Sequence, residues 1–170
     1  IYFSLNRYGL GVLDISTPDA PQLAAVADED LPDDPTRGDI YYAYGVEAVG
    51  NYAYVLFSNH GLRVFDVSKP ASPKLLSRTP SSLEDDAFNN AQLEAVGEYL
   101  YATFTNNYVL EYYIGSDKAD DAVLTGNRLE PASGEMGAYA TGLAAYGDYL
   151  ALADWGSEEL GLFDVSSGFG

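Results

Sequence analysis

The sequence predicts an all-β fold: a β-propeller of four-stranded antiparallel blades, with about three and a half blades present. Two repeating landmarks and the lack of any helical period predict it. The first landmark is Gly61-Leu62-Arg63-Val64-Phe65-Asp66-Val67-Ser68, which repeats Gly9-Leu10-Gly11-Val12-Leu13-Asp14-Ile15-Ser16 at a shift of 52 residues. Both copies continue through two prolines, Pro70 and Pro73 or Pro18 and Pro21. A further copy is Leu160-Gly161-Leu162-Phe163-Asp164-Val165-Ser166, and a degenerate one is Val109-Leu110-Glu111-Tyr112-Tyr113-Ile114-Gly115. The second landmark is Val46-Glu47-Ala48-Val49-Gly50-Asn51-Tyr52, which returns at Leu93–Tyr99 and Leu143–Tyr149. No window of ten or more residues repeats apolar positions at helical spacing.

Each repeat holds four runs with strand chemistry, in which aromatic and β-branched residues alternate with small ones. In the second repeat, strand A is placed at 46–49. Gly50-Asn51 is the hairpin turn, because both residues tolerate positive φ. Strand B follows at 52–57 and strand C at 62–67. Asp66-Val67-Ser68-Lys69-Pro70 is the next turn, where the acid can bond nearby amides and Pro presets φ. Strand D is placed at 74–79. Tyr54, Tyr101 and Tyr149 are expected to pack between blades, since no blade can bury both of its own faces.

A G-[LV]-x-[VI]-x-D-[VI]-S-x-P element after a G-x-Y-x-Y-V element resembles the LVIVD repeat of bacterial and archaeal surface proteins. The resemblance covers nearly the whole chain. It implies the propeller fold and a surface location, and it is nearly silent on chemistry. The third repeat departs most, with Tyr113, Gly115 and Asp117 in place of the Asp, Ser and Pro, which predicts a distorted C–D turn.

The whole chain, 1–170, is read as one partial propeller. Blade 1 supplies strands B–D at 1–27, blades 2 and 3 lie at 46–79 and 93–128, and blade 4 supplies strands A–C at 143–165. An open stack exposes strand edges and apolar faces. The expectation is therefore a fragment, or an arc completed by further blades from the same or another chain, and a chain that aggregates or folds incompletely by itself.

The net charge is −18, with 8 basic against 26 acidic residues. Such a field repels nucleic acid and anionic membranes, so neither is a partner, and no segment reads as inserting in a membrane. The acidity fits a prokaryotic, extracellular setting that is marine, halophilic or cation-rich. With no cysteine, thiol catalysis and Cys-ligated zinc are excluded within the chain.

Long D-to-A connections at 28–45, 80–92 and 129–141 gather on one propeller face, where repeat proteins build binding surfaces. The first carries Asp28, Asp30, Asp33 and Asp34, followed by Tyr41, Tyr42 and Tyr44. Clustered carboxylates supply the hard oxygens that Ca²⁺ takes, although the spacing matches no EF-hand loop. Tyr41, Tyr42 and Trp155 are candidate ligand-stacking aromatics, and His60, the one histidine, lies in a B–C loop. Glu47 and Glu94 occupy equivalent places on the innermost strand and form part of an acidic ring if both face the central channel. Ala144 at the third such place weakens that ring. Against these readings, the acidic loop is a solvated insertion and the two glutamates face water.

No catalytic constellation stands out: there is no G-x-S-x-G elbow, and no particular carboxylate pair is singled out for glycosidase chemistry. Two functions follow from different classes. One is a non-catalytic surface module that binds a protein or glycan or assembles a surface structure. The other is a cation-dependent hydrolase with its site on the loop-rich face.

Overall fold

A computed structural model describes residues 1–6, 8–27, 42–57, 61–79, 92–103, 109–115, 118–129, 140–154 and 159–169. Fourteen strands form four separate antiparallel sheets. The first holds β1 (Tyr2–Ser4), β2 (Leu10–Asp14) and β3 (Gln22–Ala27). The second holds β4 (Ala43–Val49), β5 (Tyr52–Phe57), β6 (Gly61–Asp66) and β7 (Lys74–Thr79). The third holds β8 (Leu93–Val96), β9 (Tyr99–Thr103), β10 (Val109–Tyr113) and β11 (Val123–Leu129). The fourth holds β12 (Ala140–Tyr146), β13 (Tyr149–Asp154) and β14 (Glu159–Asp164). In every sheet the spatial order is the chain order, as in propeller blades. We call the sheets blades 1 to 4.

Local chemistry sets the turns. Gly50, Gly97 and Gly147 take φ of 60°, 57° and 57° in the hairpins that join strands A and B, where a side chain would be strained. In the C–D turns, Asp14, Asp66 and Asp164 accept the amide protons of Ser16, Ser68 and Ser166 at 2.8, 2.8 and 3.0 Å. Hydrogen bonds from those serines hold all three carboxyls below the usual aspartate range, the backbone amide counting most at Asp14 and Asp164 and the Ser68 hydroxyl most at Asp66. Each C–D strand pair carries one register shift, at Val12/Leu13, Val64/Phe65 and Leu110/Tyr112, which sharpens the local twist.

Blade 3 rebuilds its C–D turn as its sequence predicts. It lacks the Asp, and its connection is closed by Lys118 N–H to the Gly115 carbonyl and Asp121 N–H to the Lys118 carbonyl. The Tyr54 hydroxyl of blade 2 donates to Ala119 of this turn at 2.7 Å, so the rebuilt turn also ties the two blades. Burial first, then Tyr52 and Asp120, push that hydroxyl up to about 12.

The core lies between the blades and not within any one of them. Leu10 of blade 1 packs with Ala53, Val55, Phe57 and Phe65 of blade 2. The opposite face of blade 2, with Tyr54, Leu56, Leu62 and Val64, packs on Leu100, Ala102, Leu110 and Tyr112 of blade 3. Tyr101 and Val109 of blade 3 in turn meet Leu143, Leu150, Leu152 and Val165 of blade 4. Alternation along each strand sends successive side chains to opposite neighbours, and burying each large apolar one contributes about 1.5–3 kcal/mol.

Two readings of the sequence need correction. Tyr149 does not pack between blades; it is half exposed. It stands two residues after Gly147, as Tyr52 stands after Gly50, so it matches Tyr52, and Ala151 holds the place of Tyr54. Strand A also begins earlier than predicted, at Ala43 and Ala140. Register shifts between Ala43 and Val46 and between Ala140 and Gly142 break the alternation that marks a strand.

Candidate functional site

The first strands of blades 2, 3 and 4 lie side by side, so β4, β8 and β12 border a groove of about 320 Å³. Tyr44, Gly45, Val46, Glu47, Gln92, Leu93, Glu94 and Leu143 line it. Side chains bolt these strands together across the blade gaps. The Gln92 Oε1 accepts the Leu143 amide proton at 2.6 Å, and the Glu94 carboxylate accepts that of Ala145. The Ser4 hydroxyl donates to the Tyr44 carbonyl at 2.8 Å, which carries the same linkage to blade 1.

Glu47 and Glu94, placed together by the repeat alone, do share this groove. Burial and then the Glu94 charge raise the Glu47 carboxyl above its ordinary range. Burial raises Glu94 too, and its bond to Ala145 opposes the rise. Two carboxylates held at some desolvation cost in one polar groove can bond hydroxyls or amines, or neutralise part of a cation's charge.

Ca²⁺ takes six to eight oxygens. Among the described residues no three His, Cys, Asp or Glu side chains come together in a metal-holding group. The Gln92 oxygen already serves Leu143. The described groove therefore does not by itself fit calcium.

Tyr42 sits just before β4 with its ring edge-on to Tyr44, at 6.1 Å between centroids. Burial raises the Tyr44 hydroxyl, and Tyr42 adds to the rise. Of this pair, only Tyr44 is among the residues that line the groove. Tyr41, His60, Trp155, Asp28, Asp30, Asp33 and Asp34 lie outside the described residues. Among the described residues, no helix is long and apolar enough to cross a membrane.

Sequence reasoning passed over Gln92 and Glu111. Gln92 had no signal beyond standing one residue before a strand. Glu111 had one: it occupies the repeat position of Val12 and Val64, on the strand face that looks at the next blade. It is 1% exposed. Its carboxylate accepts the Thr125 hydroxyl at 2.9 Å, the Asn127 amide at 3.1 Å and the backbone N–H of Phe169. The Phe169 ring lies 4.9 Å from that of Tyr101. Glu111 is thus an interior fastener for residues 165–169 and plays no part in the groove.

Among curated proteins none matches the sequence. The sequence model of the LVIVD repeat matches two segments, 42–79 and 137–167. These hold blade 2 and most of blade 4, whose Asp-Val-Ser turns are intact, whereas the departing blade 3 lies outside both matches. The sheet architecture and the repeat agree: the chain is a β-propeller whose second and fourth blades carry LVIVD repeats.

Proposed function

We propose that the chain is a non-catalytic β-propeller module of a prokaryotic cell surface that binds a protein or glycan ligand. The observation that carries this reading is the groove, where Tyr44 stands with Glu47, Gln92 and Glu94. A groove lined chiefly by polar atoms, with carboxylate and amide oxygens among them, suits a sugar, whose hydroxyls donate to the acids. The net charge of −18 favours neutral or cationic ligands over anionic ones. In the sequence, the connections that precede β4, β8 and β12 carry aromatic and acidic residues, Tyr41 and Asp28 among them. Calcium there would need oxygens from those connections, Asp28, Asp30, Asp33 and Asp34 first among them.

Calorimetric titration with neutral oligosaccharides, with and without Ca²⁺, tests the reading. Binding that weakens about tenfold in Glu94→Gln, and in a Tyr44→Ala variant that still folds, supports it. Affinity unchanged in both variants, or no binding of any glycan or surface protein, sinks it. Metal-dependent turnover of a glycoside or ester would establish the hydrolase instead.

A further inference from the structure

Blades 2, 3 and 4 bring the same repeat position to the groove, and blade 3 alone fills it with a side chain. Leu93 pairs with Ala102 as Val46 pairs with Val55 and Leu143 with Leu152, so Gln92 stands where blades 2 and 4 have Gly45 and Gly142. The fold accepts glycine there twice, and the amide of blade 3 is an addition to it.

Gln92 is fastened on three sides. Its N–H donates to the Thr103 hydroxyl at 2.9 Å, its carbonyl accepts the Thr103 N–H at 3.1 Å, and its Oε1 accepts the Leu143 N–H at 2.6 Å. The last bond fixes the sense of the side-chain amide, because a backbone N–H only donates and must therefore meet the oxygen. The Nε2 keeps its two donors at the other end of the amide, and no described residue accepts from them. Glu94 follows two residues later on the same strand face, and it too bonds β12, at Ala145. Positions two apart on a strand are separated by about 6.6 Å. Two adjacent sugar hydroxyls, with a hydrogen bond of about 2.8 Å at each end, bridge such a gap.

We infer that Gln92 is the specificity-determining residue of the groove: its Nε2 donates to one hydroxyl of a vicinal diol on a neutral sugar, and the neighbouring hydroxyl donates to Glu94. The inference rests on the reading of the groove as a glycan site and narrows it. A bare cation is disfavoured beside Gln92, because the amide presents donors there and its oxygen is already bonded. A hydroxyl both donates and accepts, so a diol satisfies the amide and the carboxylate together.

Calorimetric titration with the neutral methyl glycosides of mannose, galactose and glucose, and with their oligosaccharides, is the test. For the sugar that binds, replacing either hydroxyl of one adjacent pair by hydrogen should weaken binding to wild type by about tenfold or more. Gln92→Glu keeps an oxygen for the Leu143 N–H but exchanges the donors for an acceptor. It should fold with unchanged circular dichroism, bind the sugar at least about tenfold more weakly, and lose the penalty for one of the two hydroxyls while keeping it for the other. Gln92→Gly, which copies blades 2 and 4, should bind as weakly. A residue that only fastens β8 to β12 would leave the affinity of Gln92→Glu normal, and that result overturns the inference. Wild-type binding indifferent to every single deoxygenation overturns it without any variant. Binding weakened by Glu94→Gln but by neither Gln92 variant overturns this inference and leaves the glycan reading standing, whereas a protein that binds no neutral glycan overturns both.

Discussion

The junction of blades 2 and 3 and the junction of blades 3 and 4 use the same four repeat positions with different chemistry. At the first they hold Tyr54, Leu56, Leu62 and Val64, and the contact is apolar. At the second they hold Tyr101, Thr103, Val109 and Glu111, so two aliphatic side chains have become polar. All four remain buried. Each polar newcomer has a partner: the Thr103 hydroxyl accepts the Gln92 amide proton at 2.9 Å, and Glu111 collects Thr125, Asn127 and Phe169. The repeat thus fixes shape and leaves polarity open where the polar newcomers find partners.

The largest expected effect is on the apolar junction. Leu62→Ala removes three carbons from a fully buried site, at a cost of about 2–5 kcal/mol. Urea unfolding measures it, and a loss well below that range would mean that blades 2 and 3 separate easily. Glu111→Val, which copies Val64 into the other junction, should cost about 2–3 kcal/mol. The valine fits the repeat, but it strands the Asn127 amide, the Thr125 hydroxyl and the Phe169 N–H. Glu111→Gln, which keeps one oxygen, should cost less. If Glu111→Val is neutral, the polar network contributes nothing that an aliphatic contact does not.

Tyr112 runs the comparison in reverse. It holds the place of Phe65 and is fully buried, and its hydroxyl has no hydrogen-bond partner among the described residues. Burial alone drives that hydroxyl upward. Tyr112→Phe should therefore raise stability by about 1 kcal/mol. A loss instead would show that the hydroxyl has a bound partner within the blade 2–3 junction.

Much of this was legible in the sequence, because period-two alternation between turn residues is a strong local signal. Strands B and D of blade 2 lie at the predicted 52–57 and 74–79. The Asp turns form the expected bonds because an acid two residues before a serine amide needs no tertiary help. What was hidden depends on neighbours in space. The groove partners Gln92 and Leu143 are 51 residues apart, and no local pattern joins them. Glu111 looked like decay of a motif, because the donors that make it tolerable come from β11 and from residues 165–169.

The groove offers a smaller effect that depends on pH. Glu47 and Glu94 both have folded carboxyls above the ordinary value, so the folded state binds their protons more tightly than the unfolded chain. The stability this gives is fully present below the ordinary glutamate value and is lost as pH rises through the folded one. Glu47→Gln should then raise the melting midpoint at neutral pH and have no such advantage in acid. Solvent screening in the open groove keeps the gain to about 0.5 kcal/mol or less. A variant that melts lower at neutral pH would reveal a favourable partner for the Glu47 charge.

The smallest effect lies on the surface, in the contrast between the C–D turns of blades 2 and 3. Asp66 holds the Ser68 amide, while blade 3 closes its turn through Gly115 and Lys118 with Tyr113 in the Asp position. Asp66→Ala frees an amide that water can reach, so its effect should be the smallest of the five. The sign with pH is opposite to that of Glu47. The Asp66 carboxyl is lowered in the fold, so its contribution is present above the ordinary aspartate value and fades as pH falls through the folded one. Wild type and Asp66→Ala should therefore differ slightly in midpoint at neutral pH and converge in strong acid. Tyr113→Asp should not repair blade 3, because the turn already has its own backbone bonds. It would also remove the ring that packs edge-on to Tyr99 at 5.6 Å. If Tyr113→Asp stabilises the chain, the blade 3 turn is a defect waiting for its aspartate. If it destabilises, as expected, that turn has become a second solution whose ring contact replaces the side-chain bond.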